Sequence, residues 1–421
     1  MSAGAGTFRS LRNRNYRLFA GGQIVSLTGT WGQRVAQDWL VLELSGNSGV
    51  ALGVVTALQF LPVLVLSLWG GVLADRYDKR RLLVGVQVGM GLLALALGLL
   101  DVTGAVQLWH VYALSFSLGV LAALDVPVRQ SFVSEMVAPE ELPNAVSLNS
   151  ATFNSARIVG PAVAGVAIAT VGTGWVFLGN AVSYVAVVAG LVAMRTSALH
   201  RTAPVERAKG QVREGIDYVR RRPDLLVPVA MVAVIGTFGL NFQVTMALVA
   251  KEVFGAGASS FGLLTSALAL GSLAGALLSA RRTGPPRVRT LLLSALVFGL
   301  LEIAVGLAPT FAVMAVLLVP TGIAVLTFTT TANTLVQLGS EPYVRGRVMA
   351  LYTLVFLGGT PVGAPVIGAL SEALGPRVGL LLGGATCVLA ALGGAWVLTR
   401  LRGLRYEAHL VSRRPHVHVR V

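Results

Sequence analysis

The sequence predicts an all-α integral membrane protein of twelve transmembrane helices, arranged as two six-helix bundles related by pseudo-symmetry. Three observations predict this fold class. Hydrophobic residues make up 55% of the 421 positions and charged residues only 12%, with a mean hydropathy of +0.75. So few charges do not cover the surface of a soluble domain. Twelve apolar runs are long enough to cross a bilayer, and the basic residues concentrate in every second loop between them.

Each apolar run reaches the roughly twenty residues that a helix needs to cross the hydrocarbon core. Long runs without period-two alternation favour helices over the strands of a barrel. The first run follows several arginines but lacks a small-residue cleavage site, so we read it as a retained span rather than a signal peptide. The predicted spans are 18–44, 50–73, 82–101, 106–127, 146–170, 174–195, 225–250, 257–280, 289–308, 311–335, 347–370 and 376–399.

The basic residues predict the orientation. Of the 33 lysines and arginines, 29 fall in the N-terminal segment, the even-numbered loops and the C-terminal tail, whereas only Lys251 and Arg377 fall in the opposite loops. Positive residues accumulate on the cytoplasmic side, so both termini are predicted to be cytoplasmic. The net charge of +15 then indicates anionic lipid headgroups as neighbours rather than nucleic acid. The bias towards arginine over lysine is typical of a GC-rich bacterial genome, which suggests a bacterial inner membrane.

The longest loop, 197–224, separates six spans from six. Val212, Ile216 and Val219 recur there at helical spacing beside basic residues, which predicts an amphipathic helix on the cytoplasmic surface. Short landmarks such as "ARIVGPAVAG" and "GGTPVGAPVIG" recur in the two halves, as in duplicated transporters with a site near the midplane. The predicted organisation is an N-terminal bundle (1–196), a cytoplasmic linker (197–224), a C-terminal bundle (225–400) and a cytoplasmic tail (401–421).

The segment "GVLADRYDKRR" (71–81) resembles the loop motif that the major facilitator superfamily carries between its second and third helices. Asp78 replaces a glycine of that motif, and an Asx-type turn is expected there instead. Segments 29–46 and 124–165 are similar to the bacterial exporter branch that includes the enterobactin exporter, the transmembrane secretion effector family. The resemblance covers nearly the whole chain and implies the major facilitator fold.

In the superfamily this loop belongs to a network that holds the cytoplasmic side closed. The resemblance implies that Asp75 faces a helix N-terminus of the other half, and that Lys79 or Arg76 pairs with Asp125 at the end of the fourth span. The alternative is that these residues are only charges that stop membrane insertion. The predicted latch residues are Gly71, Asp75, Arg76, Lys79, Arg80 and Asp125.

The fifth span carries small residues at the spacing of the superfamily's antiporter motif, with alanine or serine in place of three glycines. The matching positions are Ser147, Ala156, Gly160, Pro161, Ala164 and Gly165. Small residues permit close helix contact, and Pro161 removes a backbone donor so that the helix can bend. The resemblance implies export in exchange for protons, whereas ordinary small-residue packing is the alternative.

Charged and polar side chains inside spans are the candidates for a proton and substrate cavity. Arg34 and Asp38 lie four residues apart on one helix face, either as a self-neutralising structural pair or as a proton site tuned by the arginine. Arg157 is expected to face the cavity and to meet Asp38, Asp125 or an anionic cargo. Glu302 is a weaker candidate that either faces the interior or reaches the outer interface. The polar candidates are Asn154, Asn241, Gln243 and Asn333.

The sequence contains no Gly-x4-Gly-Lys-Ser/Thr loop for ATP and no nucleophile elbow. Its five histidines are scattered, so we expect no enzyme activity, no metal and no cofactor. The predicted function is a monomeric secondary active transporter that exports a small amphiphilic molecule, such as a drug, secondary metabolite or siderophore, against protons by alternating access. Two alternatives stay open: uptake or flipping of a lipid-like or nutrient molecule, and a membrane sensor or scaffold that no longer transports.

Overall fold

The computed structural model describes residues 8–200, 211–281, 286–341, 343–402, 407–409 and 416–418. The first half contains α1 (Arg14–Leu44), α2 (Gly49–Arg76), α3 (Lys79–Val102), α4 (Leu108–Met136), α5 (Leu142–Val171) and α6 (Thr173–Val192). A short helix α7 (Gln211–Arg220) lies in the linker. The second half contains α8 (Pro223–Phe238), α9 (Phe242–Leu248), α10 (Ala258–Ala280), α11 (Val288–Gly306), α12 (Phe311–Gly339), α13 (Arg345–Leu374) and α14 (Val378–Arg402). In the tail, β1 (Glu407–His409) pairs antiparallel with β2 (His416–His418).

The predicted spans are present as helices. Within the described residues, eleven helical segments are long and apolar enough to cross a membrane. The first helix, α1, lies outside that set because it carries buried polar side chains, among them Gln33, Gln37 and Asp38. It packs against α5 and α6, so its polar positions face other helices rather than lipid. Helix α4 continues to Met136, nine residues beyond the predicted end of the fourth span at 127.

The seventh span is interrupted, which corrects the continuous helix predicted over 225–250. Helix α8 ends at Phe238, and α9 begins at Phe242 and continues as a π-helical turn, Val249–Val253. The Asn241 side-chain amide donates to the carbonyl oxygens of Thr237 (2.7 Å) and Phe238 (3.2 Å). The interruption leaves these two carbonyls without the backbone donors of a continuous helix, and the Asn241 amide takes their place. Irregular backbone is tolerated inside the bundle because its polar groups are paired in this way.

Two helix pairs form the main contacts between the halves, α2 with α13 and α5 with α10. We call the end of the bundle that holds residue 14 and the 193–222 segment the linker end, and the other the opposite end. Glycines bring the paired helices close together. A Cβ on Gly53 would lie 2.5 Å from the Ala364 carbonyl oxygen, and one on Gly165 would lie 2.9 Å from that of Ala258. Both contacts lie towards the opposite end, so the halves meet tightly there.

The predicted amphipathic helix exists as α7, and it is attached to the second half. Its residue Val219 is buried and Ile216 packs against the core, and α7 contacts α13. Arg222, which follows α7, donates to the Asp224 carboxylate (2.6 Å), and this bond raises the pKa of Arg222. Arg222 also donates to the Gly339 carbonyl (3.2 Å). These contacts fix the end of the linker to the start of α8.

Candidate functional site

A cavity of about 230 Å³ lies between the two halves. The first half contributes α1 and α5, and the second half contributes Leu240 of the α8–α9 break, α9, α10 and α12. Apolar and aromatic side chains form most of the wall. Its lining residues are Trp31, Arg34, Val35, Asp38, Arg157, Pro161, Leu240, Phe242, Gln243, Met246, Phe261, Thr265, Leu268, Ala269, Ser272 and Val325. An apolar chamber with a few convergent polar groups is typical of a small-molecule binding site.

A hydrogen bond between two lining residues crosses this cavity from one half to the other. The Gln243 side-chain amide donates to Oδ1 of Asp38 at 3.1 Å. Asp38 is 1% exposed, and it is the one carboxylate that lines the cavity. The α8–α9 break places Gln243 here, because the helix restarts at Phe242, one residue earlier. The bond therefore joins the acid of α1 to the interrupted helix of the other half.

Arg34 and Arg157 line the same cavity as Asp38. The Arg34 guanidinium lies over the Trp31 ring, 4.6 Å from its centre, and no ion pair between Arg34 and Asp38 is found among the described residues. The cation stacks on an aromatic ring and the acid bonds Gln243, but the two charges still interact electrostatically. The structural pair and the proton site therefore both stay predictions. Arg157 reaches the cavity as predicted and forms no ion pair with Asp38 or Asp125 in the described structure.

Three predicted cavity amides lie outside the central cavity. Asn154 donates to the Ser150 carbonyl of its own helix (2.8 Å), and Asn333 is hydrogen-bonded to Tyr352 on α13. Asn241 is buried in the α8–α9 break, with its Oδ1 atom unpaired. Of the four predicted amides, Gln243 is therefore the one that lines this cavity.

The small residues of α5 produce the predicted close packing. A Cβ on Gly160 would lie 2.6 Å from the Thr28 carbonyl oxygen of α1, and Gly165 packs against α10. Pro161 lies between them and lines the cavity. These contacts place α5 directly between α1 and the second half, whereas a bend at Pro161 stays a prediction.

The loop network at the linker end has a different partner from the predicted one. Lys79 donates to Oε1 of Glu135, and the two side chains are 10% and 8% exposed. Arg80 donates to the carbonyl oxygens of Leu191 (2.5 Å) and Val192 (2.8 Å) at the end of α6. The network therefore ties the start of α3 to the ends of α4 and α6 within the first half.

Asp125 does not pair with Lys79, and this corrects the predicted contact. Asp125 accepts from Arg129 one turn later (3.1 Å) and from the Gln87 amide (2.7 Å). Because α4 extends to Met136, it is Glu135 that lies at the end of the helix beside Lys79. Asp78 caps α3 by accepting from the Arg81 backbone amide (3.0 Å), so its side chain bonds the local backbone as a helix N-cap rather than in the expected Asx-type turn.

The other latch residues remain predictions. Arg76 is exposed at the end of α2. Gly71 and Asp75 fall among the α2 positions whose side chains lie outside the described part of the structure. Their predicted contact with the other half therefore has no observation here.

A contact that sequence reasoning missed joins the halves at the opposite end. Oε2 of Glu372, near the end of α13, accepts from the Ser48 hydroxyl (2.7 Å) and the Val50 backbone amide (3.0 Å) at the start of α2. Lys251 of the second half also lies over the Trp39 ring of α1, at 4.9 Å. The signal in the sequence is an acid two residues after the predicted end of the eleventh span.

A second set of buried groups lies within the second half. Glu302 on α11 is 2% exposed, so the expectation that it reaches the outer interface is wrong. Its Oε2 accepts from the Cys387 thiol of α14 at a donor–acceptor distance of 3.8 Å. The acid lies in the bundle interior, behind the α8–α9 break rather than in the central cavity.

Two halves of six long helices with a central cavity between them form the architecture of major facilitator transporters. A bacterial homologue of the human lysosomal transporter Spinster, in an inward-facing and occupied conformation, matches with a TM-score of 0.71 at 16% identity over 92% of this chain and 97% of its own. A POT family transporter in complex with a thioalcohol-conjugated peptide matches with a TM-score of 0.73 at 12% identity, over 92% and 97%. At these identities the likeness shows the fold alone.

The chain belongs to the transmembrane secretion effector family, whose model matches residues 5–419. It is 26% identical over 370 residues to the enterobactin exporter EntS of Citrobacter koseri, covering 86% of this chain and 87% of that protein. A shorter match, 28% identical over 135 residues, joins it to the Staphyloferrin A transporter of Staphylococcus aureus over 32% of this chain and 34% of that protein. The predicted family and fold are confirmed, and the chain is a membrane transporter rather than an enzyme.

Proposed function

We propose that the chain exports small amphiphilic molecules in exchange for protons by alternating access, with Asp38 as the proton site of the central cavity. The observation that carries the proposal is the Gln243–Asp38 hydrogen bond across the cavity. A charged or ionisable group inside a membrane bundle is costly and marks a functional site by default. Here the acid is also bonded to the other half, so its protonation acts on the contact between the halves.

The cavity contains groups suited to a molecule with polar and apolar parts. Trp31, Phe242 and Phe261 provide aromatic surface, while Arg34 and Arg157 provide cations for acceptor groups. When Asp38 has released its proton, a hydrogen-bond donor of the cargo binds the carboxylate and displaces the Gln243 amide. Exchange at one carboxylate makes proton and cargo binding mutually exclusive, which is the requirement for antiport.

The conformation supports alternating access. The halves are closed against each other at the opposite end by the glycine contacts and by Glu372. With both termini cytoplasmic, as the basic residues indicate, the opposite end faces away from the cytoplasm. The cavity of this bacterial inner-membrane protein therefore takes up its cargo from the cytoplasmic side. The proposed cargo classes are drugs, secondary metabolites and siderophores. Similarity to proteins named as an enterobactin exporter and a staphyloferrin transporter supports a siderophore as the cargo. The chain acts as a monomer in this proposal.

The test uses energised everted vesicles with a pH-sensitive dye. A catecholate siderophore, a carboxylate siderophore and a lipophilic dye are added in turn, and we expect at least one to release protons with the wild type but not with Asp38→Asn. Glu43→Gln is the matched control, since it makes the same change at an exposed acid of the same helix, and it should behave like the wild type. Both variants must first show normal membrane insertion. Equal proton release by Asp38→Asn, or cargo efflux that survives collapse of the proton gradient, would refute the proposal.

A further inference from the structure

Glu302 is buried where an ionised carboxylate has little to stabilise it. Among the described residues its one hydrogen-bond donor is the Cys387 thiol, a weak donor. Arg377 has other partners at that end of α11: it donates to the Gly306 carbonyl, one turn after Glu302 (3.1 Å), and lies over Phe254. No ion pair of Glu302 is found in the described part of the chain. A buried charge without a partner is strongly disfavoured.

The acid lies directly against the break in the seventh span. Oε1 of Glu302 lies 2.6 Å, and the Phe238 carbonyl oxygen 2.8 Å, from the position that a Cβ on Gly383 would occupy. Because residue 383 is glycine, the Glu302 carboxyl group and the Phe238 carbonyl both pack against its backbone, in the space that a side chain would fill. A Cβ on Gly239 would collide with the Cys387 sulfur. The end of α8 and Gly239 therefore pack directly against Glu302 and Cys387.

The same break controls the central site. Asn241 holds the interrupted backbone together, with an unpaired buried Oδ1 atom, and Gln243 two residues later bonds Asp38. A rearrangement of the backbone at residues 239–241 consequently moves the donor of Asp38. Asp38 therefore contacts the interrupted segment at Gln243, and Glu302 lies beside the same segment near Phe238.

We propose that Glu302 is a second proton-exchange site, which holds a proton while it is packed behind the α8–α9 break and gives it up when the break rearranges. The step is a proton transfer: the carboxylic O–H bond breaks, the electron pair stays on the carboxylate, and the proton goes to water that enters as the break opens. Recovery of the proton lets the segment pack again. The inference rests on the proposed function only in assigning this proton to the transport cycle.

The single cysteine provides a reporter that needs no cargo. The full chain is purified in detergent, and the rate at which N-ethylmaleimide labels Cys387 is followed by mass spectrometry from mildly acidic to mildly alkaline pH. Ionisation of Glu302 opens the packing around Cys387, so labelling of the wild type should rise steeply with pH. In Glu302→Gln the side chain cannot ionise, and we expect labelling at alkaline pH to be slower by about tenfold or more.

Thiolate chemistry alone predicts the opposite sign. A thiol reacts as its thiolate, and removal of a nearby acid favours that form. Glu302→Gln should then label as fast as the wild type or faster, and that result would overturn the proposal. Glu43→Gln, an exposed acid, should keep the wild-type profile.

Infrared difference spectroscopy of the wild type keeps the proposal testable if Glu302→Gln does not fold. A protonated carboxyl band that disappears at alkaline pH is expected, and Cys387→Ser should shift that band because the new hydroxyl bonds the same oxygen. Absence of such a band would contradict the proposal. Neither measurement uses transport, so a failure of proton antiport at Asp38 and a failure at Glu302 are distinguishable.

Discussion

At the scale of single residues, the value of an ion pair in this bundle depends on its burial. The Lys79–Glu135 pair is about nine-tenths buried, whereas Arg9 and Glu141, 3.3 Å apart at the same end, are 57% and 21% exposed. Removing one member of a buried pair leaves a charge without a partner, whereas an exposed pair contributes little.

We expect Glu135→Leu and Lys79→Met each to destabilise the protein by about 3 kcal/mol, and the double variant to recover part of that loss, because it removes both charges. The measurement is thermal unfolding of the purified protein in detergent, analysed as a double-mutant cycle. Arg9→Gln is the control, with an expected change of less than about 1 kcal/mol. Strictly additive losses in the cycle would show that the pair has no coupling energy.

At the scale of elements, the break in the seventh span depends on one side chain. Asn241 and Asn154 both donate to the carbonyl four residues earlier, at 2.7 and 2.8 Å. Asn154 lies in a continuous helix, where that carbonyl has a backbone donor as well, whereas Asn241 lies where the ladder is interrupted. The same hydrogen bond is therefore redundant in α5 and structural at the break.

Asn241→Ala should lower stability by about 1–3 kcal/mol, the cost of unpaired buried carbonyls, and should displace Gln243 from Asp38. Asn154→Ala should change stability by less than about 0.5 kcal/mol. Thermal unfolding measures the loss of stability, and the proton-release assay measures the displacement of Gln243 from Asp38. Equal stability losses in the two variants would mean that the break does not depend on the Asn241 amide.

Element boundaries also explain how far the sequence predicts this molecule. Apolar runs predict the helices and their division into halves, because the bilayer imposes a length that any run must meet. The same rule predicts that the fourth span ends at 127, with Asp125 as the acid at its end. Packing within the protein instead extends α4 to Met136, which brings Glu135 to Lys79. The break at 239–241 escaped prediction because Gly239 and Asn241 interrupt an otherwise apolar run without changing its mean hydropathy. Of the site, Arg34, Asp38, Arg157 and Gln243 were predictable as polar groups in spans, whereas their partners depend on tertiary contacts.

At the scale of the whole molecule, alternating access requires the opposite end to open, and Glu372 opposes that motion. Its carboxylate accepts two hydrogen bonds from the start of α2, which belongs to the other half. Because Glu372 is exposed to solvent, its two hydrogen bonds together contribute on the order of 1 kcal/mol. A ligand or substitution shifts a conformational equilibrium only by its differential effect on the two states, and this contact exists only while the end is closed.

We therefore expect Glu372→Gln to shift the population towards the state open at that end, by roughly threefold, since the weaker neutral acceptor loses on the order of 0.7 kcal/mol of closed-state stabilisation. Spin labels at Thr103→Cys and Pro309→Cys, exposed loop positions at this end in the two halves, report the separation in a Cys387→Ser background. The longer-distance population should increase in Glu372→Gln and stay unchanged in Glu252→Gln, an exposed acid at the same end. An identical distance distribution in wild type and Glu372→Gln would show that the glycine contacts of α2 with α13 close this end without the acid.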